Sequence, residues 1–210
     1  MLGRLGTPPL CVRWSGGEQK ESGYGKACCR DGGGRRFLMA GSGRWGAAPL
    51  ATEGDPLRRA WMEECIGDAV TNAAGAGGPF AAFIVHEKRV IARGANGVTT
   101  LLDPTAHAEI LAIRAAATAL GRFNLAGCEL FTSCEPCPMC LGAVYWARLD
   151  RVYFAATRFE ASAAGFDDMH LYNELCLPLA QRSLPLVQIA TSAARAPFDA
   201  WNRNSARIPY

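Results

Sequence analysis

The chain is predicted to be an α/β protein, one sheet covered by helices, on three observations. From Asp55 onward, helical and strand patterns alternate in the order α-β-β-α-β-α-β, followed by a β-α end. The candidate strands are short apolar runs, whereas the candidate helices repeat their apolar residues near a 3.6 period. Gly, Pro and a charged pair punctuate the joins.

Each element has a local reason. Asp55-Pro56 opens a helix, because an Asp side chain caps free amides and Pro is preset for the first turn. Ala60, Met62, Ile66, Val70 and Ala73 then recur at helical spacing until Gly75-Ala76-Gly77-Gly78 ends it. Phe80 to His86 and Arg89 to Ala95 are two strands about the turn Glu87-Lys88, a β-hairpin. His107 to Leu120 is an Ala/Leu-rich helix closed by Gly121; Cys128 to Ser133 is a strand, Cys137 to Arg148 a helix, and Arg151 to Ala156 a strand. Beyond Gly165 the pattern is mixed, with a fifth strand over Leu184 to Ala190 and a short helix over Phe198 to Asn204. The sequence contains no internal repeat.

Length and charge narrow the class. The 210 residues suit one domain with a sizeable core. No run approaches the roughly 18–20 uncharged apolar residues of a bilayer span, and glycine has no triplet period, which argues against membrane and fibrous classes. The net charge of +3 is unevenly spread. Residues 1–54 hold eight Lys/Arg against four acids and 13 of the 23 glycines, so the rest of the chain sums to −1. With only Trp14, Phe37 and Trp45 as isolated large apolar groups, residues 1–54 cannot bury enough surface to offset chain entropy, and a disordered Gly/Arg-rich extension is expected there. Pro8 and Pro9 break any secretory apolar stretch, and four acids count against an organelle transit peptide. A start codon upstream of the true one, with Met39 or Met62 beginning the ordered part, explains the composition equally well. Residues 55–210 are the expected working domain.

The nine cysteines are unequally spaced, and without a secretory signal a disulfide framework is not expected. Cys134-Glu135-Pro136-Cys137-Pro138-Met139-Cys140 is the dense cluster. Thiols at i and i+3 on a helix start face one side, where the helix N-terminus favours the thiolate; this is a zinc half-site. Upstream stands His107-Ala108-Glu109. One His and two Cys make three protein ligands with an open fourth position for water, which is a catalytic rather than a structural arrangement. Glu109 can take the water proton without being a ligand. His-x-Glu followed by Pro-Cys-x-x-Cys is the zinc deaminase signature. Cys134 would complete a Cys-x-x-Cys-x-x-Cys run, but an iron–sulfur site needs a fourth Cys before Pro, where Leu141-Gly142 stands, so Cys134 is a packed thiol. His86 and His170, which stand in no such motif, are ordinary surface or core histidines.

The segments Gly77-Gly78-Pro79-Phe80, Asn96 to Thr100, Asp103 to Glu109, Thr132 to Gly142, Tyr145 to Arg148, Ala164-Gly165-Phe166-Asp167-Asp168 and the terminal Tyr210 carry a wider likeness. Over about Asp55 to Tyr210 the chain resembles the bacterial guanine deaminases of the cytidine deaminase-like superfamily. The Gly-Phe-Asp-Asp segment and the aromatic C-terminus narrow the likeness to purines. The resemblance implies a three-layer α/β/α sandwich around a mixed five-stranded sheet, and one catalytic Zn2+ per subunit on His107, Cys137 and Cys140. It implies proton transfer by Glu109, with Asp168 as a second relay and, with Asn96, a holder of the base. Phe80 walls the pocket. It further implies a homodimer in which the C-terminal segment crosses over and Tyr210 closes the neighbouring site. Chemistry agrees: a planar base needs an aromatic wall such as Phe80 or Trp146, and its polar edge needs an amide and a carboxylate. Apart from the resemblance, Asn96 reads equally well as a turn residue and Asp168 as a helix cap. Ala81, where the family commonly has Gly, and Phe83, bulkier than the usual aliphatic residue, suggest a tighter base preference.

The expected reaction is therefore hydrolysis of guanine to xanthine and ammonia. A tRNA adenosine deaminase shares the zinc signature but needs a basic face for an anticodon loop, which a −1 domain does not favour. A guanosine or cytosine deaminase is a smaller change of substrate. An inactive zinc-binding scaffold would have no use for Glu109. A small nucleobase substrate, no membrane and no nucleic-acid partner follow. Reduced thiols at Cys137 and Cys140 suit the cytoplasm, with organelle import through residues 1–54 the other possibility.

Overall fold

The computed structural model describes residues 55–166 and 168–210; the extension expected over 1–54, and Asp167, lie outside the described residues. Helix α1 spans Pro56–Ala74, and Asp55 caps it by accepting from the Leu57 amide at 3.0 Å. Strands β1 (Ala81–His86) and β2 (Arg89–Ala95) form the expected hairpin. Its two turn residues, Glu87 and Lys88, both have left-handed φ of 48° and 59°. That pair of positive angles gives a two-residue turn whose twist matches the strands. A short helix α2 (Val98–Leu101) precedes α3 (Ala108–Leu120), which Gly121 closes at φ 62°. Then follow β3 (Cys128–Cys134), α4 (Pro138–Ala147), β4 (Arg151–Ala156), α5 (Arg158–Ala163), α6 (Asp168–Cys176), two 3-10 turns and α7 (Ala196–Arg203). No helix among the described residues is long and apolar enough to cross a membrane.

The strand order is β2-β1-β3-β4, with β1 antiparallel to both neighbours and β3 parallel to β4. Central β1 is buried on both faces, and its alternation sorts the core into two layers. Ala82 and Ile84 meet Leu130, Ala112 and Val144 on the α3/α4 side. Ala81, Phe83 and Val85 meet Cys65, Ala69 and Phe131 on the α1 side. Helices thus cover both faces. Phe83 is fully buried in the α1 layer, with the Arg93 guanidinium 4.1 Å over its ring. Its bulk fills core, and it is not among the residues lining the cavity described below.

The expected five-stranded sheet is corrected to four strands. The stretch over Leu184 to Ala190 joins no ladder, and its Val187 and Ile189 are 82% and 86% exposed. Pro185 removes one amide donor there, and an apolar run without a partner edge stays extended chain rather than strand. The short helices α2, α5 and α6 are the other departure, since four to nine residues give too few turns for periodicity to register. For α5 a local signal exists: Thr157 and Glu160 form a reciprocal capping box.

Close backbone approach brings α3 onto the sheet. A Cβ at Gly94 would overlap the Ala108 carbonyl oxygen and stand 2.7 Å from the Ala112 amide nitrogen. Only glycine lets β2 and the first turns of α3 pack this tightly, and Glu109 lies in that first turn.

Candidate active site

Two helix N-termini converge at the end of the parallel pair β3–β4. His107 is the N-cap residue of α3, and Cys137 is the N-cap residue of α4, with Pro138 in its first turn. The β3 strand is prolonged by the Glu135 amide, which donates to the Ala156 carbonyl at 2.8 Å. The chain then turns at Pro136 and presents Cys137 and Cys140, three residues apart, from the first turn of α4. His107 Nδ1 lies 3.6 Å from Cys137 Sγ and 3.5 Å from Cys140 Sγ. All three donor atoms fall within 4.8 Å of one another, and no other such group occurs among the described residues.

The donor set fits zinc. Tetrahedral coordination with Zn–N near 2.0–2.1 Å and Zn–S near 2.3 Å requires N···S separations of about 3.6 Å. Of the two thiols, Cys137 is prepared for it. Donation from Cys140, helped by His107, pulls the Cys137 thiol down to about 4, while the same hydrogen bond and burial push Cys140 up. His107 is raised by its hydrogen bond to Cys137. Cys134 is different: burial pushes it up to about 11, and its thiol donates to the Thr157 carbonyl at 3.7 Å. It stays a packed thiol beside the donor triad.

Glu109 lies against this triad, 6% exposed, and burial raises its carboxyl above the ordinary range. Oε2 accepts from the Cys140 thiol at 3.4 Å and Oε1 from the Thr132 hydroxyl at 3.3 Å. A carboxylate this dry, held on both oxygens, has the chemistry to accept a proton from a water at the triad.

A cavity of about 250 Å³ opens from these groups. Phe80, Asn96, His107, Glu109, Cys137 and Asp168, six of the nine residues singled out from the sequence, line it together. Cys140, fully buried, sits behind Cys137. Asn96 is 8% exposed, and its Oδ1 accepts from the Val98 amide at 3.3 Å. Trp146 and Tyr210 are elsewhere. They contact each other at 5.9 Å between ring centroids, beside an apolar groove between α3 and α4, and are 66% and 70% exposed. Trp146 does not wall the cavity of its own chain, because α4 turns that position outward, away from the face carrying Cys140.

Three contributors escape residue-by-residue reading of the sequence. Phe166 meets Phe80 edge to face, 4.8 Å between centroids, and makes an aromatic corner. Its signal is its place in the Gly-Phe-Asp-Asp segment. Thr132 reaches Glu109 from the neighbouring strand, and only the strand alternation around Cys134 hints at it. Glu135 lines the cavity while holding α5, accepting from the Arg158 amide at 3.1 Å and pairing with its guanidinium at 3.6 Å.

Comparison with known proteins agrees with this geometry. The family model for the cytidine and deoxycytidylate deaminase zinc-binding region matches residues 57–156. The guanine deaminase of Bacillus subtilis is 53% identical over 154 residues, 73% of this chain and 96% of the relative. Its crystal structure superposes with a TM-score of 0.71 at 45% identity, covering 72% of this chain and 98% of the other. The tRNA-specific adenosine deaminase of Agrobacterium fabrum is 47% identical, but over only 78 residues, 37% of this chain and 51% of that protein. A guanine deaminase structure from Nitrosomonas europaea superposes with a TM-score of 0.51 at 37% identity, over 55% of this chain and 66% of that one.

Proposed function

The chain belongs to the guanine deaminases, built on the cytidine and deoxycytidylate deaminase zinc-binding region, and we infer that it is a zinc-dependent hydrolase converting guanine to xanthine and ammonia. The observation that carries this is the meeting of the His107/Cys137/Cys140 triad and the buried Glu109 carboxylate at one end of a base-sized cavity.

Zinc held by His107, Cys137 and Cys140 supplies a Lewis acid that brings the pKa of a water from 15.7 toward about 7. Glu109 takes that proton as the water oxygen attacks C2 of guanine. It passes that proton to the adjacent ring nitrogen, then takes the remaining proton from the new C2 hydroxyl and hands it to the departing amino group. The C2–N bond breaks, ammonia leaves, and water's oxygen remains as the new carbonyl of xanthine. Asn96 and Asp168 hold the polar edge of the base, Asp168 also serving as a second proton relay, and Phe80 walls its face. Burial of Asn96 supports its part, because an analogue that leaves a buried amide unpaired is rejected.

Residues 55–210 carry the activity, and deleting 1–54 is expected to leave kcat and zinc content unchanged. The protein is a homodimer whose C-terminal segment crosses to the partner, bringing Tyr210 to the neighbouring cavity. Supporting this, Leu184, Leu186, Phe198 and Ile208 are all more than half exposed in the single chain. Such apolar residues spread along one segment call for a partner surface. A reducing cytoplasm suits the free thiols of the donor triad.

Ammonia release across guanine, guanosine, adenine, cytosine and a tRNA anticodon stem-loop tests the assignment. Release from guanine alone is expected. Turnover of the stem-loop in preference to guanine would overturn it, and no release from any would make the chain a zinc scaffold.

A further inference from the structure

We propose that Tyr172 is a positioning residue for the reaction, its hydroxyl latching α6 to the Cys137 loop and thereby setting Asp168 against the donor triad. The inference rests on the role given above to Asp168. Helix α6 buries none of its residues completely, so its seat on the body depends on a small number of directed contacts. Tyr172 makes one of them. Its hydroxyl donates to the Pro136 carbonyl at 2.9 Å, the peptide that leads directly into Cys137.

The rest of the seat runs through the same loop. Glu135 accepts from the Arg158 amide at 3.1 Å, and the Arg158 guanidinium lies 4.6 Å over the Tyr172 ring. Loop, α5 and α6 therefore close a ring of contacts that returns to Pro136. Asp168 is four residues before Tyr172, one turn earlier on the same helical face. The single hydroxyl of Tyr172 thus ties the helix bearing Asp168 to the segment bearing Cys137. Loosening it lets a carboxylate that must meet the base drift relative to the reacting carbon, where small misplacements are costly.

Tyr172→Phe keeps the ring and the Arg158 stack and removes only the donor. In the full chain, hydrogen–deuterium exchange at residues 168–176 is expected to quicken while that of 108–120 stays the same, with zinc content unchanged. Guanine kcat/KM is expected to fall about tenfold. In the Asp168→Asn background the same substitution is expected to lower kcat/KM by less than about twofold, because the latch acts through Asp168. Unchanged exchange at 168–176, zinc lost in step with activity, or an equal fold loss in both backgrounds would overturn the proposal. Should wild type release no ammonia from guanine, the functional assignment fails, and the exchange measurement still judges the latch by itself.

Discussion

Thr132 on β3 points its hydroxyl at Glu109 on α3, 3.3 Å from Oε1, while also standing 3.4 Å from the Ala81 carbonyl. One strand residue therefore fixes one oxygen of the carboxylate, and the other oxygen faces Cys140. At 6% exposure, with a partner on each oxygen, Glu109 is oriented before any substrate arrives.

Glu109→Gln keeps shape and burial but cannot accept a proton. It is expected to retain zinc and lose about 10²–10⁴-fold in kcat. Thr132→Val, which removes the donor alone, is expected to lower kcat about fivefold with zinc retained, and Thr132→Ser to restore most of it. Metal analysis beside steady-state ammonia release checks both; appreciable turnover by Glu109→Gln would remove Glu109 from the proton path.

If Asn96 holds the base as proposed, Asn96→Ala is expected to lower guanine kcat/KM about 10- to 100-fold, mainly through KM, because the buried edge of the substrate then goes unpaired. Product inhibition by xanthine is expected to weaken in parallel. A kcat effect at unchanged KM would assign Asn96 to something other than holding the base.

What the sequence makes legible here is what local spacing encodes. Asp55-Pro56, the Glu87-Lys88 turn, and the His107/Glu109 and Cys137/Cys140 pairs each lie within a few residues, so cap, turn and ligand geometry follow from position alone. Thr132, Phe166 and Tyr172 act across space on groups 23, 86 and 36 residues away, distances that no periodicity reports. The error over 184–190 has the same root. Apolar composition shows that a segment wants cover but not which surface supplies it, and no sheet edge among the described residues does. Trp146 misleads similarly, since an aromatic beside the zinc cysteines in sequence faces outward from α4.

The candidate metal donors come from the starts of two different helices, so zinc held there would tie α3 to α4 as well as serve chemistry. A strong chelator is expected to abolish ammonia release. The metal-free protein is expected to melt about 5–10 °C lower than the protein kept at free zinc a hundredfold above its dissociation constant. Adding Zn2+ back is expected to restore both. A melting temperature indifferent to chelator would show that the triad holds no metal in the folded protein.

Gly94→Ala tests the packing that delivers Glu109. Its Cβ would meet the backbone of Ala108 and Ala112, which cannot swing aside as a side chain would. The expected cost is about 1–3 kcal/mol, seen as a lower denaturant midpoint at unchanged m-value. A neutral effect would mean that α3 can lift from β2 without loss, and the close approach would then not be what seats the catalytic turn.

In its own chain Tyr210 lies by Trp146 and Trp201, outside the cavity, so any part it takes in the reaction must be played in a partner subunit. That makes a complementation experiment decisive. A chain lacking Tyr210 is expected to have reduced kcat/KM, and a Glu109→Gln chain to be inactive. Co-expressed, random pairing makes half the dimers mixed, and each mixed dimer holds one site with an intact Glu109 and a partner's Tyr210. Activity of about a quarter of wild type per subunit is then expected. If the mixture shows only the activity of the Tyr210-deleted homodimers diluted by the inactive chain, the C-terminus does not reach across.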